Sequence, residues 1–65
     1  MELEKVIDVI LKQKPNKIMI YLRDILLFNG EPQYLKYCPY LENLNVYTYE
    51  HLDKQKNIIL IRVIE

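Results

Sequence analysis

A chain of 65 residues is long enough for a single domain and leaves no room for a second. Its formal net charge of zero argues against a dedicated nucleic-acid-binding domain, which usually carries a basic surplus. The single cysteine, Cys38, excludes an internal disulfide and suits a reducing compartment. The apolar runs, such as residues 58–61, are short, and none approaches the ~20 residues of a bilayer span, so we expect one compact cytoplasmic domain over residues 1–65.

The first predicted element is an amphipathic helix over residues 2–13. Its apolar side chains recur at helical spacing, one or two per turn, at Leu3, Val6, Ile7, Ile10 and Leu11. Pro15 then ends the helix, because the residue before a proline avoids the helical backbone conformation.

The second segment, residues 17–28, allows two interpretations. Asn16 is a suitable N-cap, and most apolar side chains fall on one helical face, which favours a second amphipathic helix ending at residues 29–30. Ile20 and Leu27 would lie on the opposite side of that helix and are therefore candidates for contact with another chain. The alternation of Ile18, Ile20 and Leu22 instead fits a strand over residues 17–22.

The third segment begins at Pro32, which suits the first turn of a helix. The spacing predicts that Leu35, Cys38 and Leu41 face the core. Pro39 falls within this pattern and removes a helical hydrogen bond, so the segment is either a kinked helix or two short turns. The outward positions are predicted to be Gln33, Lys36, Tyr37 and Tyr40.

The last third of the chain predicts a β-hairpin. Residues 45–52 are rich in Tyr, Thr and Val, residues 57–64 are almost entirely Ile, Leu and Val, and residues 53–56 form a polar loop. A symmetric loop would pair Val46 with Val63, and a one-residue slip would exchange the faces of the hairpin. The final strand is apolar on both sides, a pattern typical of strands covered on both faces. The predicted fold class is α+β, with two amphipathic helices, a short kinked third helical segment and a C-terminal β-hairpin.

The residue types needed for catalysis are scarce. The chain has no serine and one glycine, Gly30, so a serine nucleophile and a glycine-rich phosphate loop are excluded. Cys38 and His51 are the one Cys–His pair, but Cys38 occupies a predicted core position, where a free cysteine behaves as a small apolar residue. One Cys and one His cannot supply the four ligands of a structural zinc site. We therefore expect no enzymatic activity, no metal and no cofactor.

The six tyrosines are the most unusual feature of the composition. Tyrosine is enriched in protein interfaces because it joins an apolar ring to a polar tip. With the high apolar content, this favours a small regulatory or adaptor protein that binds protein without catalysis and forms a homodimer. The candidate interface residues are Ile20, Leu27, Tyr37, Tyr40, Tyr47 and Tyr49.

The alternative hypothesis is a DNA-binding transcriptional regulator that resembles a winged helix, because helix, helix, short helix and hairpin follow in that order. The third segment would then read DNA and the hairpin tip would be the wing. The candidate nucleic-acid contacts are Gln33, Lys36, Tyr37, Tyr40, Lys54 and Lys56.

The excess of Ile, Lys, Asn and Tyr over Ala indicates an AT-rich genome, as in many viruses and plasmids.

Overall fold

The structure is a computed structural model that describes residues 2–41 and 43–64. Over these residues the fold is mixed, with one helix, four strands and two 3₁₀ turns. In chain order the elements are α1 (Leu3–Leu11), β1 (Lys17–Leu22), β2 (Ile25–Gly30), the 3₁₀ turns Pro32–Tyr37 and Pro39–Leu41, β3 (Asn45–Asp53) and β4 (Ile58–Ile64).

Helix α1 forms where the apolar spacing predicts it. Leu3, Val6 and Ile10 are buried, whereas Val9, which breaks the pattern, is 48% exposed. The helix ends at Leu11, before Pro15, and the amide groups of the next residues bond back to its last carbonyls. Lys14 then adopts a left-handed backbone conformation with φ of 51°, which turns the chain toward β1.

The predicted second helix is wrong, because residues 17–30 form an antiparallel pair of strands. A two-residue turn, Arg23 and Asp24, joins β1 to β2, and Arg23 has a left-handed φ of 57°. The alternation of Ile18, Ile20 and Leu22 was the correct signal. In a strand, Ile20 lies on the same side as Ile18, so it enters the core instead of standing on the far side of a helix.

The third segment consists of two short 3₁₀ turns separated by Cys38, the second of the two arrangements that Pro39 allows. We refer to residues 32–41 as the 3₁₀ segment. Leu41 is 1% exposed, and Leu35 and Cys38 pack against the core, as their spacing predicts. Lys36, Tyr37 and Tyr40 are exposed.

Strands β3 and β4 pair antiparallel around the polar turn at residues 54–57. Val46 lies opposite Val63, the pair expected for a symmetric loop. Beyond that pair the register shifts, since Thr48 lies opposite Arg62 and Tyr49 opposite Ile61. A bulge near each end of β3 therefore shifts the pairing, first from the symmetric register to the slipped one at Thr48 and then by one more residue at Asp53.

The four strands form one sheet in the order β2-β1-β4-β3. Its central pair, β1 and β4, is parallel, and both outer pairs are antiparallel. Helix α1 and the 3₁₀ segment cover one side of the sheet. The core between these layers consists of Leu3, Val6, Ile10, Ile18, Ile20, Leu41, Ile59, Ile61 and Val63.

Candidate functional site: the uncovered face of the sheet

The second side of the sheet is exposed along both outer strands. Side chains alternate along each strand, so the neighbours of the core residues Ile18, Ile20, Ile59, Ile61 and Val63 point away from α1. Cross-strand pairing places their partners on β2 and β3 on the same side. We call this surface the uncovered face: Lys17, Met19, Tyr21, Leu26, Asn29, Thr48, Glu50, Leu52, Ile58, Leu60, Arg62 and Ile64.

The uncovered face lies over a parallel pair of strands. Met19 of β1 is paired with Leu60 of β4, and Tyr21 is paired with Arg62. Parallel strands occur almost always with both faces covered, and their sequences are accordingly apolar on both sides. Strand β4 has that composition, yet within residues 2–41 and 43–64 the helical layer lies on one side alone.

The exposed apolar side chains of this face lie toward the sheet edges. Leu60, in the centre, is 6% exposed because its neighbours shield it, whereas Leu26 is 43% and Leu52 is 53% exposed. A shallow depression of about 340 Å³ joins the two central strands to β3 and the Arg23–Asp24 turn. Its lining side chains are Met19, Tyr21, Arg23, Asp24, Leu52, Leu60 and Arg62.

The face carries charges of both signs. Arg62 lies between Tyr21 of β1 and Thr48 of β3. Glu50 lies two residues beyond Thr48 on β3, opposite Leu60. These charged groups are exposed, so they remain solvated while the surface is free. The face therefore combines apolar side chains with charges of both signs, a composition that protein interfaces also have.

The structure corrects two of the predicted interface residues. Ile20 is completely buried between the sheet and α1, so it cannot contact another chain while the fold is intact. Leu27 lies at the bulge in β2, is half-buried and packs against the core. Both predictions depend on a helix over residues 17–28, and the structure has two strands there.

The predicted interface tyrosines are exposed on two different elements. Tyr37 and Tyr40, on the 3₁₀ segment, are 69% and 65% exposed, and Tyr47 and Tyr49, on β3, are 73% and 44% exposed. Tyr37 stacks on Tyr34 with the ring centroids 6.4 Å apart, and the Lys36 ammonium lies 5.3 Å from the centroid of Tyr37. Tyr47 lines a second depression beside Arg62 and Arg23, at the edge of the uncovered face.

The candidate DNA contacts are not presented on a recognition helix. Gln33, Lys36, Tyr37 and Tyr40 lie on 3₁₀ turns, and the residues before them form strands, so the described residues contain no helix-turn-helix. The Gln33 amide donates a hydrogen bond of 2.8 Å to a carboxylate oxygen of Glu31. Lys54 and Lys56 are exposed on the β3–β4 turn.

The Cys–His pair is distributed over two elements. Cys38 is half-buried in the 3₁₀ segment and lines a groove of about 320 Å³ against α1, while His51 is exposed on β3, paired with Ile59. Within residues 2–41 and 43–64, no three His, Cys, Asp or Glu side chains are grouped as metal ligands. No helix in this part of the chain is long and apolar enough to cross a bilayer.

No family model matches the chain, and comparisons with curated proteins and with solved structures found no match.

Sequence reasoning missed the β1 and β2 part of the uncovered face because it favoured a helix for Met19, Tyr21 and Leu26. The signal for the β4 part was present in that strand, whose apolar side chains on both sides indicate a strand covered on both faces. Leu52 carried no signal, since a bulge directs it onto this face, and bulges are not evident from a sequence pattern.

Proposed function

We propose that the protein is a small non-enzymatic interaction protein that uses the uncovered face of its sheet to associate as a homodimer. The observation that carries this proposal is the parallel β1–β4 pair with a helical layer on one side of the sheet and apolar side chains on the other. A second sheet packed about 10 Å away would supply the missing layer.

The charges of the face suit association with an identical copy. A two-fold interface brings one patch against itself, so the patch has to be self-complementary. The uncovered face carries Arg62 on the central strand β4 and Glu50 on the outer strand β3. The formal charge of the chain is zero, so there is no net charge repulsion between two copies.

The size of the face favours a dimer of modest affinity. Four strands spaced ~4.8 Å apart and about seven residues long give roughly 400 Å² of planar area per copy. A pair of such faces lies near the ~1,000 Å² that a specific interface requires. We therefore expect dimers at micromolar concentration, with the apolar centre of the face excluding water.

A positive charge placed on this face should disrupt the proposed dimer. Leu52→Lys and Leu26→Lys should each shift the protein to monomer in sedimentation velocity at micromolar concentration, because a lysine would be buried without a partner. Both side chains are about half exposed in the monomer, so the far-ultraviolet circular dichroism should be retained.

Val9→Lys is the matched control. Val9 is 48% exposed, close to the value of Leu52, but it lies on the outer side of α1. It should leave the dimer intact. A wild-type protein that stays monomeric at about 100 μM, a hundredfold above the expected range, would contradict the proposal, as would equal dissociation by all three variants.

A further inference from the structure

The end of the molecule where α1 passes into β1 collects most of its lysines. Residues 12–17 contain three lysines, and the β3–β4 turn at residues 54–57 contains two. All five are exposed. We call Lys12, Lys14, Lys17, Lys54 and Lys56 the lysine end.

Four hydrogen bonds hold the two segments of the lysine end together. The Asn57 side-chain amide donates to the backbone carbonyls of Lys14 at 2.7 Å and of Gln13 at 3.5 Å. Asn16 donates its backbone amide to the carbonyl of Asn57 and its side-chain amide to the carbonyl of Lys56, both at 2.9 Å. The lysines are therefore brought together by the fold, although about 40 residues separate the segments.

The zero net charge of the chain conceals a segregation of charge. Residues 12–17 and 53–57 hold five lysines and one acid, Asp53, which is a formal charge of +4, so the other residues together carry −4. The Asp53 carboxylate accepts hydrogen bonds from the backbone amides of Gln55 and Lys56, at 2.9 and 3.1 Å. These bonds hold the carboxylate in the turn.

We infer that the lysine end binds the phosphate backbone of nucleic acid, without reading its sequence. The side chains beside the lysines are amides, at Gln13, Asn16, Gln55 and Asn57, and lysine and amide side chains are typical contacts of phosphate oxygens. Arginine, the commonest bidentate reader of guanine, is absent from both segments. The lysines lie on a loop, on a turn and at the first residue of β1, and not on a helix that could enter the major groove, so we expect no dependence on sequence.

Two other polyanionic partners fit this surface less well. Binding at a membrane surface uses apolar side chains that enter the acyl boundary, and the one apolar residue of these segments, Pro15, is buried. A tight protein interface needs aromatic or arginine anchors, and neither segment contains one. Lys17, paired with Ile58, lies at the margin of the uncovered face, whereas the other four lysines lie on the loop after α1 and on the β3–β4 turn. The inference can therefore be tested separately from the proposed dimer with those four lysines.

The test is the binding of a fluorescein-labelled DNA duplex of about 20 base pairs, followed by anisotropy between about 50 and 200 mM salt. Four phosphate contacts give a slope of log affinity against log salt of roughly −3.6, which is a loss of about 150-fold over this range. The double variant Lys54→Gln/Lys56→Gln should reduce the magnitude of the slope by about 1.8.

The matched control is Lys5→Gln/Lys36→Gln, which removes the same charge from lysines outside the lysine end and should leave the slope unchanged. Equal effects of the two double variants, or no binding of the duplex at the lowest salt, would overturn the inference. Binding to vesicles that contain phosphatidylglycerol, without binding to the duplex, would also overturn it and assign the lysine end to membranes.

Discussion

At the scale of single residues, Ile20 shows how a change of secondary structure changes the role of a side chain. On a helix it would project away from the core, whereas on β1 it lies between Ile61 and Phe28 on the covered side of the sheet. It is completely buried there. Its contribution is therefore to the stability of the monomer and not to an interface.

Substitutions of Ile20 should accordingly act on folding. Ile20→Val should lower the free energy of unfolding by about 0.5–1.5 kcal/mol, because it removes one buried methylene group. Ile20→Lys should abolish folding, since a charge would be buried in a layer without a partner. Urea unfolding followed by circular dichroism measures both changes, and a folded Ile20→Lys protein would show that the residue is accessible.

Asn57 is a residue whose backbone and side chain both serve the structure. Its φ of 55° lies in the left-handed region, which asparagine tolerates better than most residues. Its side-chain amide bonds to the loop after α1, as described above. One residue thereby closes the β3–β4 turn and fixes that turn to the loop before β1.

At the scale of elements, this link between the two loops should be measurable. Asn57→Ala should lower the free energy of unfolding by about 1.5–3 kcal/mol, because it loses the hydrogen bonds and strains the left-handed backbone. Asn57→Gly keeps the backbone conformation accessible and should cost about 0.5–1.5 kcal/mol, which isolates the side-chain contribution.

Urea denaturation of the three proteins tests this expectation at constant protein concentration. Identical losses for alanine and glycine would show that the left-handed conformation carries no strain. Retention of wild-type stability by both variants would show that the two loops are held together by the strand pairing of Lys17 with Ile58 instead.

The β1–β2 pair is the element where sequence periodicity misled. Residues 17–28 match a helical face about as well as they match two strands, because a bulge at Leu27 breaks the alternation in β2. The choice between helix and strand for residues 17–22 is made by pairing with β4, a strand far away in the sequence. Strand β4 pairs with β1 in parallel, from Lys17 with Ile58 to Leu22 with Val63, and only a strand can accept that pairing.

At the scale of the whole molecule, one copy is fully collapsed and still leaves apolar surface exposed. The Cα radius of gyration is 10.5 Å, and a folded chain of this length is expected to measure about 10.7 Å. One helix and the 3₁₀ segment can cover one side of a four-stranded sheet and no more. Within residues 2–41 and 43–64 the second side stays uncovered, which is the basis for the proposed partner.

If that partner is a second copy, thermal stability should depend on protein concentration. Dimer formation couples unfolding to mass action, so a hundredfold increase in concentration should raise Tm by roughly 5–10 °C for a chain of this size. Differential scanning fluorimetry across that range measures the shift. The Leu52→Lys protein should show a constant Tm, and a concentration-independent Tm for the wild type would oppose the dimer.

The features that depend on neighbouring residues could be predicted from the sequence. The spacing of apolar residues predicts α1, and the β-branched composition with a polar turn predicts the β3 and β4 strands. Pro32 and Pro39 limit the third segment to a kinked helix or two short turns, and the structure has the two turns. Each depends on local backbone preferences or on periodicity within a dozen residues.

The tertiary structure decided the features that depend on residues far apart in the chain. The parallel pairing of β1 with β4 made residues 17–22 a strand and buried Ile20. It also placed Met19 and Tyr21 beside Leu60 and Arg62, and so created the uncovered face. The bonds of Asn16 and Asn57 assembled the lysine end from two separate segments. A periodic pattern reports which side of an element is apolar, but the identity of the element that covers it is set by pairing and packing across the whole chain.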